Sequence, residues 1–130
     1  MRTLIVDDSR FLRERLKQML RPMGWECVEA VDGAAALDVL RTDAAFDLML
    51  LDVNMPEMDG LECVRSLRVT GIAADMKVMM VTTEADSSYI LQALEFGADE
   101  FLMKPMTTES LRSKLLLLGL GATQRQALRA

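Results

Sequence analysis

Four short apolar runs in this chain end on residues able to do ionic or nucleophilic chemistry. Leu4-Ile5-Val6 ends on Asp7 and Asp8, Leu50-Leu51 on Asp52, Val78-Met79-Met80-Val81 on Thr82, and Phe101-Leu102-Met103 on Lys104. Three carboxylates brought together would repel one another strongly. A hard divalent cation resolves that conflict, and three Asp with neither His nor Cys beside them select Mg²⁺, or Mn²⁺, over zinc. The backbone carbonyl of Asn54 is a further candidate ligand. A carboxylate is also a nucleophile toward phosphorus, giving an acyl phosphate, and phosphoryl transfer depends mainly on positioning and charge neutralisation. Lys104 and a cation would each bind a phosphoryl oxygen, and the Thr82 hydroxyl would donate to one. The plain alternatives are that Asp7-Asp8 caps a helix, that Lys104 is a solvated lysine and that Thr82 opens a turn. Each is ordinary alone, but jointly they leave the convergence unexplained.

For these groups to meet, the runs must be neighbouring strands of one parallel sheet, whose carboxyl ends form the ligand crevice of α/β proteins. The pattern predicts strands at about 3–7, 26–31, 47–51, 77–81 and 100–103. Between them Leu12, Leu16, Met19 and Leu20 form a helical stripe, closed by Arg21-Pro22 and Gly24. Asp32 can cap a second helix carrying Ala36, Leu37 and Leu40. Asp59 and Glu62 have capping-box spacing at the start of a third. Asp86 or Ser87 can start a fourth, ending at Gly97, and Thr107 or Thr108 a fifth. Five strand–helix units with nearly continuous apolar strands mean a parallel sheet covered on both faces, joined by right-handed crossovers. Met55-Pro56-Glu57-Met58-Asp59-Gly60 reads as a turn running into a helix, and Lys104-Pro105 is a bond at which a cis peptide is open.

The bulk numbers restrict the class. At 130 residues the chain is one domain with room for a full core. A net charge of −5 argues against a nucleic-acid surface, which needs a basic stripe. Cys27 and Cys63 lack CxxC spacing and there is no histidine, so neither a zinc site nor a disulfide framework is expected and a reducing compartment is the default. The first apolar run breaks too early for a signal peptide, and no stretch approaches the roughly 18 apolar residues of a membrane span. A cytoplasmic, monomeric protein without membrane or nucleic-acid partners is expected. Residues 119–130 read as a frayed tail or short extra helix, too few for an output domain.

Four segments carry a resemblance: Val6-Asp7-Asp8-Ser9, residues 51–61 around Asp52, Met80-Val81-Thr82-Thr83-Glu84, and residues 97–105 ending in Lys104-Pro105. With these in order, the chain resembles the receiver domain of two-component response regulators, most closely the stand-alone receivers of chemotaxis. The resemblance spans residues 3 to about 118, giving a receiver domain at 1–118 and a tail at 119–130. It implies a doubly wound, flavodoxin-like five-stranded parallel sheet of order 2-1-3-4-5 with five helices. It further implies that Asp52 accepts a phosphoryl group from a phosphohistidine on a histidine kinase or His-containing phosphotransfer protein. Asp7, Asp8, Asp52 and the Asn54 carbonyl would hold Mg²⁺, while Thr82 and Lys104 grip the phosphoryl group. Asn54 and Glu84 occupy the positions that tune the lifetime of the acyl phosphate.

Phosphorylation would draw Thr82 inward and let the aromatic at 101 follow, shifting a population on the output face formed by the fourth helix, fifth strand and fifth helix. The family usually has Tyr there. Phe101 retains the inward switch but offers no hydroxyl. Ile90, Leu94, Phe101 and Lys114 map to that face, with Leu91 the expected core residue of the fourth helix. The target would be a phosphorylation-dependent partner such as a flagellar motor switch; a phosphate sink or a non-chemotaxis regulator is the alternative. An Asp-nucleophile phosphatase of the haloacid-dehalogenase type needs a second Asp two positions after the first, where this chain has Asn54. In a flavodoxin-like electron carrier, Asp7-Asp8 would repel the flavin phosphate. The only Trp, Trp25, precedes the second strand, whereas related chemotaxis proteins carry Trp at the position of Val53.

Overall fold

The computed structural model describes residues 1–53, 59–83 and 89–121. The strands are β1 (Arg2–Val6), β2 (Glu26–Ala30), β3 (Leu48–Asp52), β4 (Lys77–Thr82) and β5 (Glu100–Met103), and the helices α1 (Arg10–Leu20), α2 (Gly33–Thr42), α3 (Gly60–Thr70), α4 (Ile90–Glu95) and α5 (Thr108–Leu117). All strand pairs are parallel, in the order β2-β1-β3-β4-β5. This is the doubly wound α/β fold expected from the sequence. Among the described residues no helix is long and apolar enough to cross a membrane.

The alternation of side chains along each strand divides the core in two. Leu4, Val6, Met49, Leu51, Val78 and Met80 face α2 and α3, joined by Leu37, Leu40, Val64 and Leu67. Ile5, Leu48, Leu50, Met79, Val81 and Leu102 face α1 and α5, joined by Leu16, Leu20, Leu111 and Leu115. Helix starts follow local chemistry. Ser9, Asp32, Asp59 and Thr107 each accept a backbone N–H with a side-chain oxygen, and Thr107 forms a capping box with Ser110. A single 3₁₀ turn at Arg21–Met23 closes α1, with Gly24 at a φ of +89°. The Lys104-Pro105 peptide is cis.

Four strands differ from the sequence reading by one residue at one or both ends. β1 runs over 2–6, β2 over 26–30, β3 over 48–52 and β4 over 77–82, so Asp52 lies inside the ladder, level with Val81. Backbone pairing does not require an apolar side chain, and the expected stop at Leu51 came from counting apolar residues alone. The expected starts of the fourth helix, Asp86 and Ser87, lie outside the described residues.

Thr3 sits on β1 fully buried, and its Oγ1 has no hydrogen-bond partner among the described residues. An unsatisfied buried hydroxyl is destabilising, whereas an apolar group of the same shape is not. Thr3→Val is therefore expected to raise stability by about 1 kcal/mol in urea titrations at unchanged m-value. A loss of stability would mean that the hydroxyl is satisfied.

Candidate functional site

The strand register brings the chemistry-bearing residues to one edge of the sheet. Val6 is level with Ala30 and Leu51, Asp52 with Val81, and Thr82 with Met103. Asp7, Asp8, Asp52, Thr82 and Lys104 thus occupy the carboxyl ends of four adjacent strands. Asp7 and Asp52 are buried and Asp8 is exposed, and one carboxylate oxygen from each lies within 4.8 Å of the other two. Lys104 Nζ reaches across to Asp52 Oδ1 at 3.0 Å and stands 3.9 Å from Asp7 Oδ2. The three carboxylates and the lysine come together as expected.

Local hydrogen bonds explain how each group is held. The Asp7 N–H donates to the Ala30 carbonyl at 3.2 Å, extending the β1–β2 ladder by one bond. The Ser9 N–H donates to Asp7 Oδ1 at 2.8 Å, and the Ser9 hydroxyl accepts the Leu12 N–H. Ser9 is therefore the cap of α1, and neither aspartate is needed for that task. The Lys104 N–H donates to the Thr82 carbonyl at 2.7 Å, fixing the β5 end against β4. Thr82 is fully buried, and its hydroxyl donates to the Thr83 carbonyl at 3.2 Å. Asn54 and Glu84 lie outside the described residues.

Burial pushes the Asp7 carboxyl up from 3.8 to about 6. The Ser9 N–H opposes this, the Asp52 carboxylate adds to it, Lys104 opposes it, and Asp8 adds to it again. Such a group gives up its proton more readily once a cation arrives. The donor set is all oxygen, clustered, and only partly neutralised by Lys104, so it fits a hard divalent cation and could hold one.

One contributor escaped the sequence reading and another was read only as a turn residue. Gly60 opens α3 so close to β3 that a Cβ there would stand 2.5 Å from the Asp52 carbonyl oxygen, and its N–H donates to the Val53 carbonyl. Its role is thus close approach of helix and strand as well as the turn expected of it. Arg13 Nη1 donates to the Asp7 carbonyl at 2.7 Å. Nothing in the sequence marks it, since an Arg on the polar side of an amphipathic helix reads as solvated.

On the far side of β4 and β5, Phe101 is level with Met80 and half-buried against the core. Thr82 lies two residues beyond Met80 on the same face of β4. Lys114 Nζ sits 4.2 Å from the Phe101 ring centroid and 3.0 Å from Glu100 Oε1. Ile90 is half-buried and Leu94 exposed. The expectation that Leu91 fills the core is wrong: Leu91 is 72% exposed, and the small Ala93 is the residue that packs α4 inward.

Comparison with known proteins decides the family. Residues 3–116 match the response regulator receiver domain. This chain belongs to that family. The receiver is 37% identical over 129 residues to the chemotaxis protein CheY homolog of Campylobacter jejuni, covering 98% of this chain and 99% of that one. It is 40% identical over 115 residues to the response regulator MprA of Mycobacterium avium, covering 88% of this chain and 49% of that protein. The solved structure of the Vibrio cholerae chemotaxis protein CheY4 superposes with a TM-score of 0.80 at 33% identity, over 88% of this chain and 95% of that one. The protein is thus the receiver domain of a two-component signalling system, on the CheY-like fold.

Trp25 of this receiver is buried near the N-terminal start of β2, packed with the α1–α5 side of the core. About five strand residues, roughly 16 Å, separate that end of the sheet from the acidic pocket. Titration with Mg²⁺ is therefore expected to leave its emission unchanged; a large quench would put the cation elsewhere.

Proposed function

We propose that this receiver is a phosphorylation-switched regulator of chemotaxis, accepting a phosphoryl group on Asp52 and presenting an altered output face to a flagellar motor switch protein. The observation that carries the reading is the meeting of three carboxylates with one ammonium, in which Lys104 engages Asp52 at 3.0 Å. Asp7, Asp8 and Asp52, with the Asn54 carbonyl, would hold Mg²⁺ or Mn²⁺. When bound, the cation supplies charge neutralisation for phosphoryl oxygens.

The chain's own groups divide the remaining work. An Asp52 carboxylate oxygen attacks phosphorus, the phosphorus–nitrogen bond of the donor phosphohistidine breaks, and its electron pair returns to the imidazole. The donor belongs to a histidine kinase or phosphotransfer protein, in keeping with a chain that contains no histidine. Lys104 turns from Asp52 to a phosphoryl oxygen, and the Thr82 hydroxyl leaves the Thr83 carbonyl for another. Phe101 then moves inward and alters the surface it shares with Lys114, Ile90 and Leu94. The protein catalyses only its own phosphotransfer and autodephosphorylation, with Asn54 and Glu84 tuning the latter, and it acts as a cytoplasmic monomer.

The chemotaxis assignment draws on likeness to CheY proteins along nearly the whole chain. Residues 1–118 form the receiver domain in this reading. A pulldown comparing beryllofluoride-treated protein with Asp52→Asn tests it. Capture of a flagellar switch protein by the activated form alone is expected. Absence of any state-dependent partner would favour a phosphate sink.

A further inference from the structure

We propose that Arg13 is a positioning residue for the acid pair, fixing the loop that carries Asp7 and Asp8 by gripping the Asp7 carbonyl. The inference rests on reading Asp7, Asp8 and Asp52 as a cation site. The β1–β2 register ends at Val6 and Ala30, and one further bond, from the Asp7 N–H to the Ala30 carbonyl, extends it. Beyond that point the Asp7 carbonyl is met by Arg13 Nη1 at 2.7 Å, a charge-assisted bond from the first turns of α1. The peptide preceding Asp8 is thereby held on its oxygen side by a helix, while the Asp7 amide is held by a strand.

Arg13 is itself immobilised. Its side chain is only 12% exposed, and Nε donates to Glu29 Oε1 on β2 at 3.0 Å. Glu29 is also bonded by Lys17 Nζ at 2.9 Å, and Lys17 by Glu14 at 2.7 Å. The guanidinium therefore spans two acceptors in a fixed fork: one on the loop that presents the acid pair, one on the neighbouring strand. A lysine at this position could satisfy only one of them with comparable geometry. Arg13 engages the peptide oxygen and not the carboxylates, and Glu29 offsets its charge. Its influence on the pocket is therefore one of placement. Groups that orient ligands without touching the metal typically contribute about 10- to 100-fold to affinity.

Calorimetric Mg²⁺ titration of wild type, Arg13→Met, Arg13→Lys and Lys17→Met, with urea denaturation of each in chelator, tests the proposal. Arg13→Met should weaken Mg²⁺ binding by about tenfold or more among folded molecules, with Arg13→Lys restoring part of the loss. Lys17→Met, in the same ion-pair network but without contact to Asp7, should lose stability and keep wild-type affinity. If Arg13→Met does not fold, Arg13→Lys carries the comparison, and a measurable loss of affinity is still expected. Wild-type affinity in the folded Arg13 variants would overturn the proposal, as would an equal loss in Lys17→Met. A wild type that binds no Mg²⁺ would instead remove the cation site on which the proposal rests.

Discussion

Asp52→Ala protein incubated with Mg²⁺ and acetyl phosphate or phosphoramidate is expected to take up no phosphoryl group, whereas wild type takes up one, read as intact mass. Asp52→Asn should behave as the alanine variant does, because the amide keeps the shape but has no nucleophilic carboxylate oxygen. The effect is expected to be complete because the neighbours cannot substitute. Asp7 is buried, shares one oxygen with the Ser9 N–H, and is drawn toward its protonated form. Asp8 is exposed to water. Asp52 alone is both shielded from solvent and in hydrogen-bonding contact with Lys104, the ammonium placed to neutralise an incoming phosphoryl oxygen. An adduct persisting in either variant would assign the nucleophile to another residue.

Asp7→Asn is expected to act in opposite directions on stability and on cation binding. With a folded-state pKa of about 6 against an ordinary 3.8, the Asp7 carboxyl favours the fold while protonated. That contribution is fully present below about 3.8 and is lost as pH rises through about 6. Without Mg²⁺, the group should thus lower stability at pH 8 by up to about 3 kcal/mol. Asn mimics the neutral carboxyl and can still accept the Ser9 N–H, so the variant should be more stable than wild type at pH 8 in chelator. It should also bind Mg²⁺ at least about 100-fold more weakly, having lost a buried charged ligand. In wild type, Mg²⁺ should raise the melting temperature more at pH 8 than at pH 5, because binding and protonation compete for one group. Urea titrations and Mg²⁺ calorimetry at both pH values read these effects. Lower stability of Asp7→Asn at pH 8, or unchanged Mg²⁺ affinity, would contradict the assignment.

The fold was legible because the runs of β1, β3 and β4 are apolar enough to be buried on both faces, as in a parallel sheet covered by helices on both sides. The site was legible for a related reason: a charge directly after such a run has no structural purpose at a buried strand end. Two placements differed. Leu91 was expected inside, yet it is 72% exposed and Ala93 makes the inward contact of α4. Asp52 was placed past the strand because it is charged, yet its backbone completes the ladder with β4. Arg13 was invisible because its role depends on a carbonyl six residues away and an acid on another strand, which helical spacing does not encode. The order of the strands came from the resemblance rather than from periodicity, which fixes faces but not neighbours.

The account rests on one aspartate receiving the phosphoryl group inside a cation-dependent acidic pocket. Reductive trapping of the acyl phosphate with borohydride, followed by peptide mass analysis, reads that site directly. Homoserine at position 52 alone, formed with Mg²⁺ and phosphodonor and absent with chelator, is the predicted result. Homoserine at another aspartate, or labelling of Asp52 that ignores the chelator, would contradict it.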